Sequence, residues 1–283
     1  MHAVQEKIEI EEPQKIHTED PHPAELSWAF ASASEDRPVP LDDTCAVRDA
    51  IIDRYGLTEL LDEAGGPAIR LKLRFPPHIE AGWMRIWQSP AGCVIDRLYH
   101  IYVGGNGNDI NLMYAMTRAD SPVPHFFLHY NVNPPENWSY HIDLPGKVDG
   151  VMYPDYWEQA FSALSAVSEK KKFKAIPTRR IQSDRKQYLS TWGFYGKEID
   201  EAEYRLIRDE VVTEYLQQFF NLVDNFSYTG VDRDYLIERG RKQMDILLKR
   251  EMDLKGWGRL ESLFGREAGD LLRFECRREH HEI

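Results

Sequence analysis

From Ala68 the chain alternates strictly, with Ile69, Leu71, Leu73 and Phe75 on one side and Arg70, Lys72 and Arg74 on the other. Successive strand side chains point to opposite faces, so this pattern predicts a strand over 68–75 with one face buried. The runs GWMRIWQ (82–88), CVIDRLYHIYVG (93–104), INLMYAMT (110–117), VPHFFLHYNV (123–132) and NWSYHIDL (137–144) follow, separated by short turn signals. Together the six predict an antiparallel meander. GGNGND (104–109) superficially resembles a phosphate-binding loop, but a strand rather than a helix follows it, which predicts a hairpin turn. Elsewhere the apolar period is helical. Residues 44–66 predict a helix ending near Gly65, and Pro154 opens another that carries Trp157, Phe161 and Leu164 on one face. Residues 201–226, 234–253 and 257–274 predict three more. Strands in one run with helices on either side give an α+β fold, one antiparallel sheet of about six or seven strands covered by helices. Residues 1–40, rich in Glu, Pro and Ser, read as a loosely packed acidic extension, and 41–283 as a single domain.

One hairpin carries chemistry. Alternation places His125, Phe127, His129 and Asn131 on one face of the fifth strand, and Ser139, His141 and Asp143 on one face of the sixth. If Val132 pairs with Trp138, His129 falls opposite His141 and Phe127 opposite Asp143. Opposed β-carbons lie roughly 4.5–5.5 Å apart, so two imidazoles and a carboxylate would converge. A slip of one residue would turn each of them to the other face. The alternative is a polar, solvent-facing side of the sheet.

Composition narrows the classes. Hydrophobic residues make up 42% and aromatics 12% of the 283 residues, enough for a sizeable core and against a disordered chain. The net charge of -12 argues against non-specific binding to nucleic acid or anionic membranes. No run approaches the ~18 consecutive apolar residues of a membrane span, and the acidic N-terminus has neither signal nor transit character. Cys45, Cys93 and Cys276 have no cluster-ligand spacing, which fits a reducing, cytoplasmic setting. Basic residues are nevertheless concentrated between Lys170 and Lys186, and Lys171, Arg179 and Arg180 there suit an acidic partner protein.

The sequence contains no dinucleotide fingerprint, P-loop, HExxH or nucleophile elbow. What remains is a His- and Asp-bearing sheet face suited to proton delivery, with Arg70, Arg74 and Arg97 as candidate ligands for substrate carboxylates.

Two segments resemble a known superfamily. HIDLPGKVDGVMYPDYWEQAF (141–161) is similar to the strand–loop–helix passage of red chlorophyll catabolite reductase. LLKREMDLKGWGRLESLFGREAGDLLRF (247–274) resembles the last helices of the ferredoxin-dependent bilin reductases. The resemblance implies an α/β/α sandwich around a central antiparallel sheet. It also implies reduction of a linear tetrapyrrole by electrons from reduced ferredoxin, with no flavin, metal or nicotinamide bound. On this resemblance Asp143 corresponds to a strand-end aspartate and Asp253 to an acidic residue on the penultimate helix, both proton donors, and His129 stands where red chlorophyll catabolite reductase has a substrate-binding glutamate. His141, His125, Arg70, Arg74 and Arg97 would then line the substrate, and Lys171, Arg179 and Arg180 would dock ferredoxin. Two other readings remain open at this stage. One is a non-haem metal (iron) oxidoreductase or oxygenase using His129, His141 and Asp143 as ligands. The other is a non-catalytic carrier for a pigment.

Overall fold

The computed structural model describes residues 39–105, 108–133, 137–168 and 189–279. The acidic extension up to residue 38 therefore lies outside the described residues. The chain enters through α1 (Val39–Tyr55), then β1 (Thr58–Leu60), β2 (Ile69–Lys72), β3 (Glu80–Gln88), β4 (Ile95–Gly105), β5 (Asn108–Thr117), β6 (Phe126–Asn133) and β7 (Asn137–Asp143). Helix α2 (Pro154–Ser168) precedes the last strand, β8 (Phe194–Ile199). Then come α3 (Glu201–Ile207), running through a π-helical turn (Arg208–Val212) into α4 (Thr213–Asn225), and α5 (Arg233–Leu247). A 3-10 turn (Arg250–Asp253) leads into α6 (Leu254–Phe264) and α7 (Arg266–Arg277).

All the strands lie in one sheet of order β1-β3-β4-β5-β6-β7-β8, with β2 also paired to β3. Every pairing is antiparallel, and β2 through β7 form the expected meander. Gly104 pairs with Asp109 and Gly105 with Asn108, so the glycine-rich run closes the β4–β5 hairpin. The β6–β7 register pairs Val132 with Trp138, His129 with His141 and Phe127 with Asp143, as the hairpin reading required.

Alternation gives the sheet two apolar faces. On the first, Met113, Phe126, Leu128, Tyr130, Tyr140 and Ile142 pack with Ile51 of α1, Phe161 and Leu164 of α2, and Tyr204, Phe219 and Leu222 of α3 and α4. On the second, Met84, Tyr99, Ile101, Tyr114, Met116 and Phe127 pack with Met244 and Leu247 of α5, Trp257, Leu260 and Phe264 of α6, and Leu272 of α7. Fully burying each large apolar side chain contributes roughly 1.5–3 kcal/mol, so both helical layers are anchored by the hydrophobic effect. The result is the helix–sheet–helix sandwich.

Four local expectations need correction. The first helix starts at Val39 and ends at Tyr55, where Gly56 N–H still reaches Ile52 O (2.8 Å) before the chain leaves to form β1 on the edge of β3. Pairing along that edge outweighs the helical spacing of the apolar residues beyond Gly56. The strand predicted over 68–75 ends at Lys72, after an irregularity between Leu71 and Lys72. The segment 257–274 is two helices, because Gly265 sits at φ 93° between them. Strand β8 was not foreseen.

Candidate active site

The second sheet face carries a connected strip of rings. Phe127 meets Tyr114 edge-on (4.8 Å between centroids), Tyr114 meets His129 (5.1 Å), His129 meets His141 (5.3 Å) and His141 meets Tyr195 (5.7 Å). Four strands supply it, since β5, β6, β7 and β8 pair in that order. Tyr114, Phe127 and His141 are buried, while His129 and Tyr195 are half-buried. The strip thus runs from under the C-terminal helices toward the accessible edge of the sheet. Flat aromatic faces and edges of this kind favour a conjugated, planar guest.

Asp143 ends β7 on the same face and is wholly buried. Its Oδ2 accepts from Ser190 N–H at 3.0 Å, and its Oδ1 accepts from the Ser190 hydroxyl. A Cβ at Gly193 would come within 3.2 Å of the Asp143 carboxyl carbon, so a side chain there would have to push the carboxyl group aside by a few tenths of an ångström. Residues 190–193, just ahead of β8, therefore form a close-fitting polar seat for Asp143. Nothing in the linear sequence marks Ser190, Tyr114 or Tyr195 as members of the site, because each arrives through long-range pairing.

His125 lies just before β6 and is also buried on this face, its ring parallel to that of Phe127 at 6.3 Å. Its Nδ1 accepts from Thr117 N–H (3.1 Å), which leaves the proton of the neutral ring on Nε2. Burial holds its pKa well below the usual imidazole range.

Beside His125 opens a cavity of about 320 Å³ between the ends of β4 and β5, α5 and α7. Lys147 forms part of its lining. This lysine follows β7, is completely buried, and donates from Nζ to Arg118 O and Ala119 O. Desolvation lowers its pKa to about 7.

The remaining candidates stand elsewhere. Arg70 pairs with Trp83 on the opposite face, and its guanidinium is held by Asp62 (3.0 Å) and Glu80 (3.8 Å). Arg74 is exposed in the turn after β2 and its N–H bonds to Leu263 O. Arg97 is buried beneath α7 and faces Glu275 at 3.6 Å, two strands from His129. None of the three arginines is among the ring contacts of the strip: Arg70 and Arg97 face acidic partners near their own strands, and Arg74 is exposed past the end of β2. Asp253 closes the 3-10 turn ahead of α6, and its side chain lies outside the described residues. Lys171, Arg179 and Arg180 likewise fall outside them.

The set His129, His141 and Asp143 does not surround a common point. The imidazoles meet edge-to-face at 84°, while Asp143 directs both oxygens to Ser190. Among the described residues no group of three or more His, Cys, Asp and Glu side chains is arranged to hold a metal ion. No described helix is long and apolar enough to cross a membrane.

No family model matches the sequence, and no curated protein matches it. Among solved structures, phytochromobilin synthase from tomato, determined in complex with biliverdin, superposes with a TM-score of 0.64 at 14% identity, covering 85% of each chain. The fold implied by the resemblance of residues 141–161 and 247–274 is the fold observed: this chain shares the helix–sheet–helix sandwich of the tomato bilin enzyme.

Proposed function

We propose that this protein reduces a linear tetrapyrrole, a bilin or chlorophyll catabolite, by proton-coupled electron transfer. The observation that carries the reading is the continuous strip Tyr114–His129–His141–Tyr195, with Asp143 one step along the same face and the Tyr114 end packed under the C-terminal helices. A tetrapyrrole-binding protein of the same fold, seen with biliverdin, supports it.

Saturating one double bond takes two electrons and two protons. His129, half-buried and central in the strip where His141 and Asp143 are buried, is the more accessible proton donor. Asp143 is the second, fixed by Ser190 so that its carboxyl group does not drift. His141 backs His129 across the strand pair and orients it. Asp253, in the turn that leads into α6, is assigned as a further acid on the resemblance of residues 247–274. Electrons come singly from reduced ferredoxin, docked through Lys171, Arg179 and Arg180.

The test mixes the purified protein with biliverdin and follows absorbance, then adds ferredoxin, its reductase and NADPH under low oxygen. A shift on binding, then loss of the biliverdin band, is the expected course. Removing one positioned acid–base group slows proton transfer by roughly 10²–10⁴-fold, so His129→Ala and Asp143→Asn should each slow turnover on that scale while still binding pigment. Binding without turnover under any reductant would replace the enzyme with a pigment carrier, and no spectral response at all would end the tetrapyrrole reading.

A further inference from the structure

The His125–Lys147 cavity opens beyond the Phe127 end of the ring strip, where His125 stacks on Phe127, and it is built as a site of its own. His125 Nε2–H is buried and has no acceptor among the described residues. Leaving such a donor unsatisfied costs about 1–3 kcal/mol, which a bound acceptor recovers. Lys147, as an ammonium, has three N–H bonds and gives two of them to Arg118 O and Ala119 O. One remains. The buried part of the wall is apolar apart from Asp96 and Thr117, with Tyr99, Met116, Met244 and Cys276, while the mouth is charged: Arg241 pairs there with Glu279 and Arg277 with Asp245. Few convergent polar groups on an apolar wall describe a small-molecule pocket.

We propose that this cavity binds a carboxylate carried on an apolar body, with His125 Nε2–H and the Lys147 ammonium as its two donors. A phosphate needs more donors than these two, and the arginines at the mouth, Arg241, Arg277 and Arg278, already face Glu279, Asp245 and Glu275. The carboxylate has two possible sources, a free aryl or alkyl acid or the carboxylate arm of a tetrapyrrole, and only the second rests on the reductase reading.

Protonation sets the affinity. The charged groups acting on Lys147 are Asp120 after β5, Asp96 on β4, Glu279 beyond α7 and Arg239 on α5, and His125 lies beside it. None of the acids bonds to Nζ, and burial outweighs them all, so the amine is half-charged near pH 7. An arriving carboxylate favours the ammonium, so binding takes up a proton. The sign follows: affinity is full below pH 7 and falls about tenfold per pH unit above it.

Benzoate, titrated calorimetrically into the full-length protein at pH 6, 7, 8 and 9, is the probe. The expected result is saturable binding at pH 6 that weakens tenfold per unit above pH 7, with proton uptake visible as a buffer-dependent heat. Lys147→Met should abolish it, and His125→Gln, which keeps an N–H donor, should retain most of it. Absence of binding at pH 6, or binding independent of pH in the wild-type protein, overturns the proposal without recourse to any variant. Adding biliverdin to the benzoate-loaded protein separates the sources. Displacement assigns the site to the tetrapyrrole arm, and simultaneous binding assigns it to a free acid. If biliverdin fails to bind while benzoate succeeds, the reductase reading falls and the carboxylate site stands.

Discussion

Asp143 shows how a single residue can be placed by neighbours remote in sequence. Its strand and its face follow from the alternation in NWSYHIDL, and the opposition of Phe127 follows from the register set by Val132 and Trp138. Its actual partner, Ser190, lies 47 residues away and enters only because β8 pairs with β7. The hydroxyl and the N–H of Ser190 reach separate oxygens, so one residue holds both ends of a buried carboxyl group. Ser190→Ala removes one donor and leaves the other, at a position where no water is freely available. The expected loss is about 1–3 kcal/mol, read as a lower urea midpoint at unchanged slope. An unchanged midpoint would mean that the carboxylate is not held this way. His129 and His141 were legible because strand period and hairpin register are local properties. Tyr114, Tyr195 and Lys147 were not, since a tyrosine in a strand or a lysine in a loop has the same local signature wherever it points.

Elements were legible where periodicity ran long. The five strands from β3 to β7 and the helices α2, α4 and α5 fall where alternation or helical spacing put them. Misreadings occurred where competing rules met in a few residues. TELL (58–61) has helical apolar spacing but finds an open sheet edge at Trp87 and Gln88, and edge pairing decides. The residues around Gly265 carry a helical apolar period straight through a break that only the backbone reveals. At φ 93° glycine is at ease and other residues are strained, while open space surrounds the position a Cβ would take. Gly265→Ala should therefore cost about 1 kcal/mol through the backbone alone, without any clash. The α6–α7 corner would then loosen, because Glu261, bonded by Arg250 (2.7 Å) and Arg273 (3.0 Å), ties the two helices across that turn. A thermal unfolding midpoint equal to that of the wild-type protein would show that the corner tolerates a side chain and that strain there is negligible.

At the scale of the whole molecule the net charge opposes the proposed partner, while one stretch of the sequence favours it. A net charge of -12 repels an acidic ferredoxin at long range, yet eight basic residues fall between Lys170 and Lys186. With a Debye length of about 8 Å at physiological ionic strength, the partner senses only nearby charge as it closes, so a concentrated basic segment can prevail over a dispersed acidic excess. That argument gives a graded expectation. Replacing Lys171, Arg179 and Arg180 by Glu should lower the second-order rate of ferredoxin-dependent reduction at low salt by 10-fold or more, since steering affects association most strongly. Raising the salt should narrow the gap, because screening removes attraction from the wild-type protein and repulsion from the variant alike. Biliverdin binding, which the proposed reading assigns to the sheet face, should be the same in both. Equal rates at low salt would move the electron entry point away from this segment, and a pigment-binding defect in the variant would place these residues at the substrate rather than at the partner.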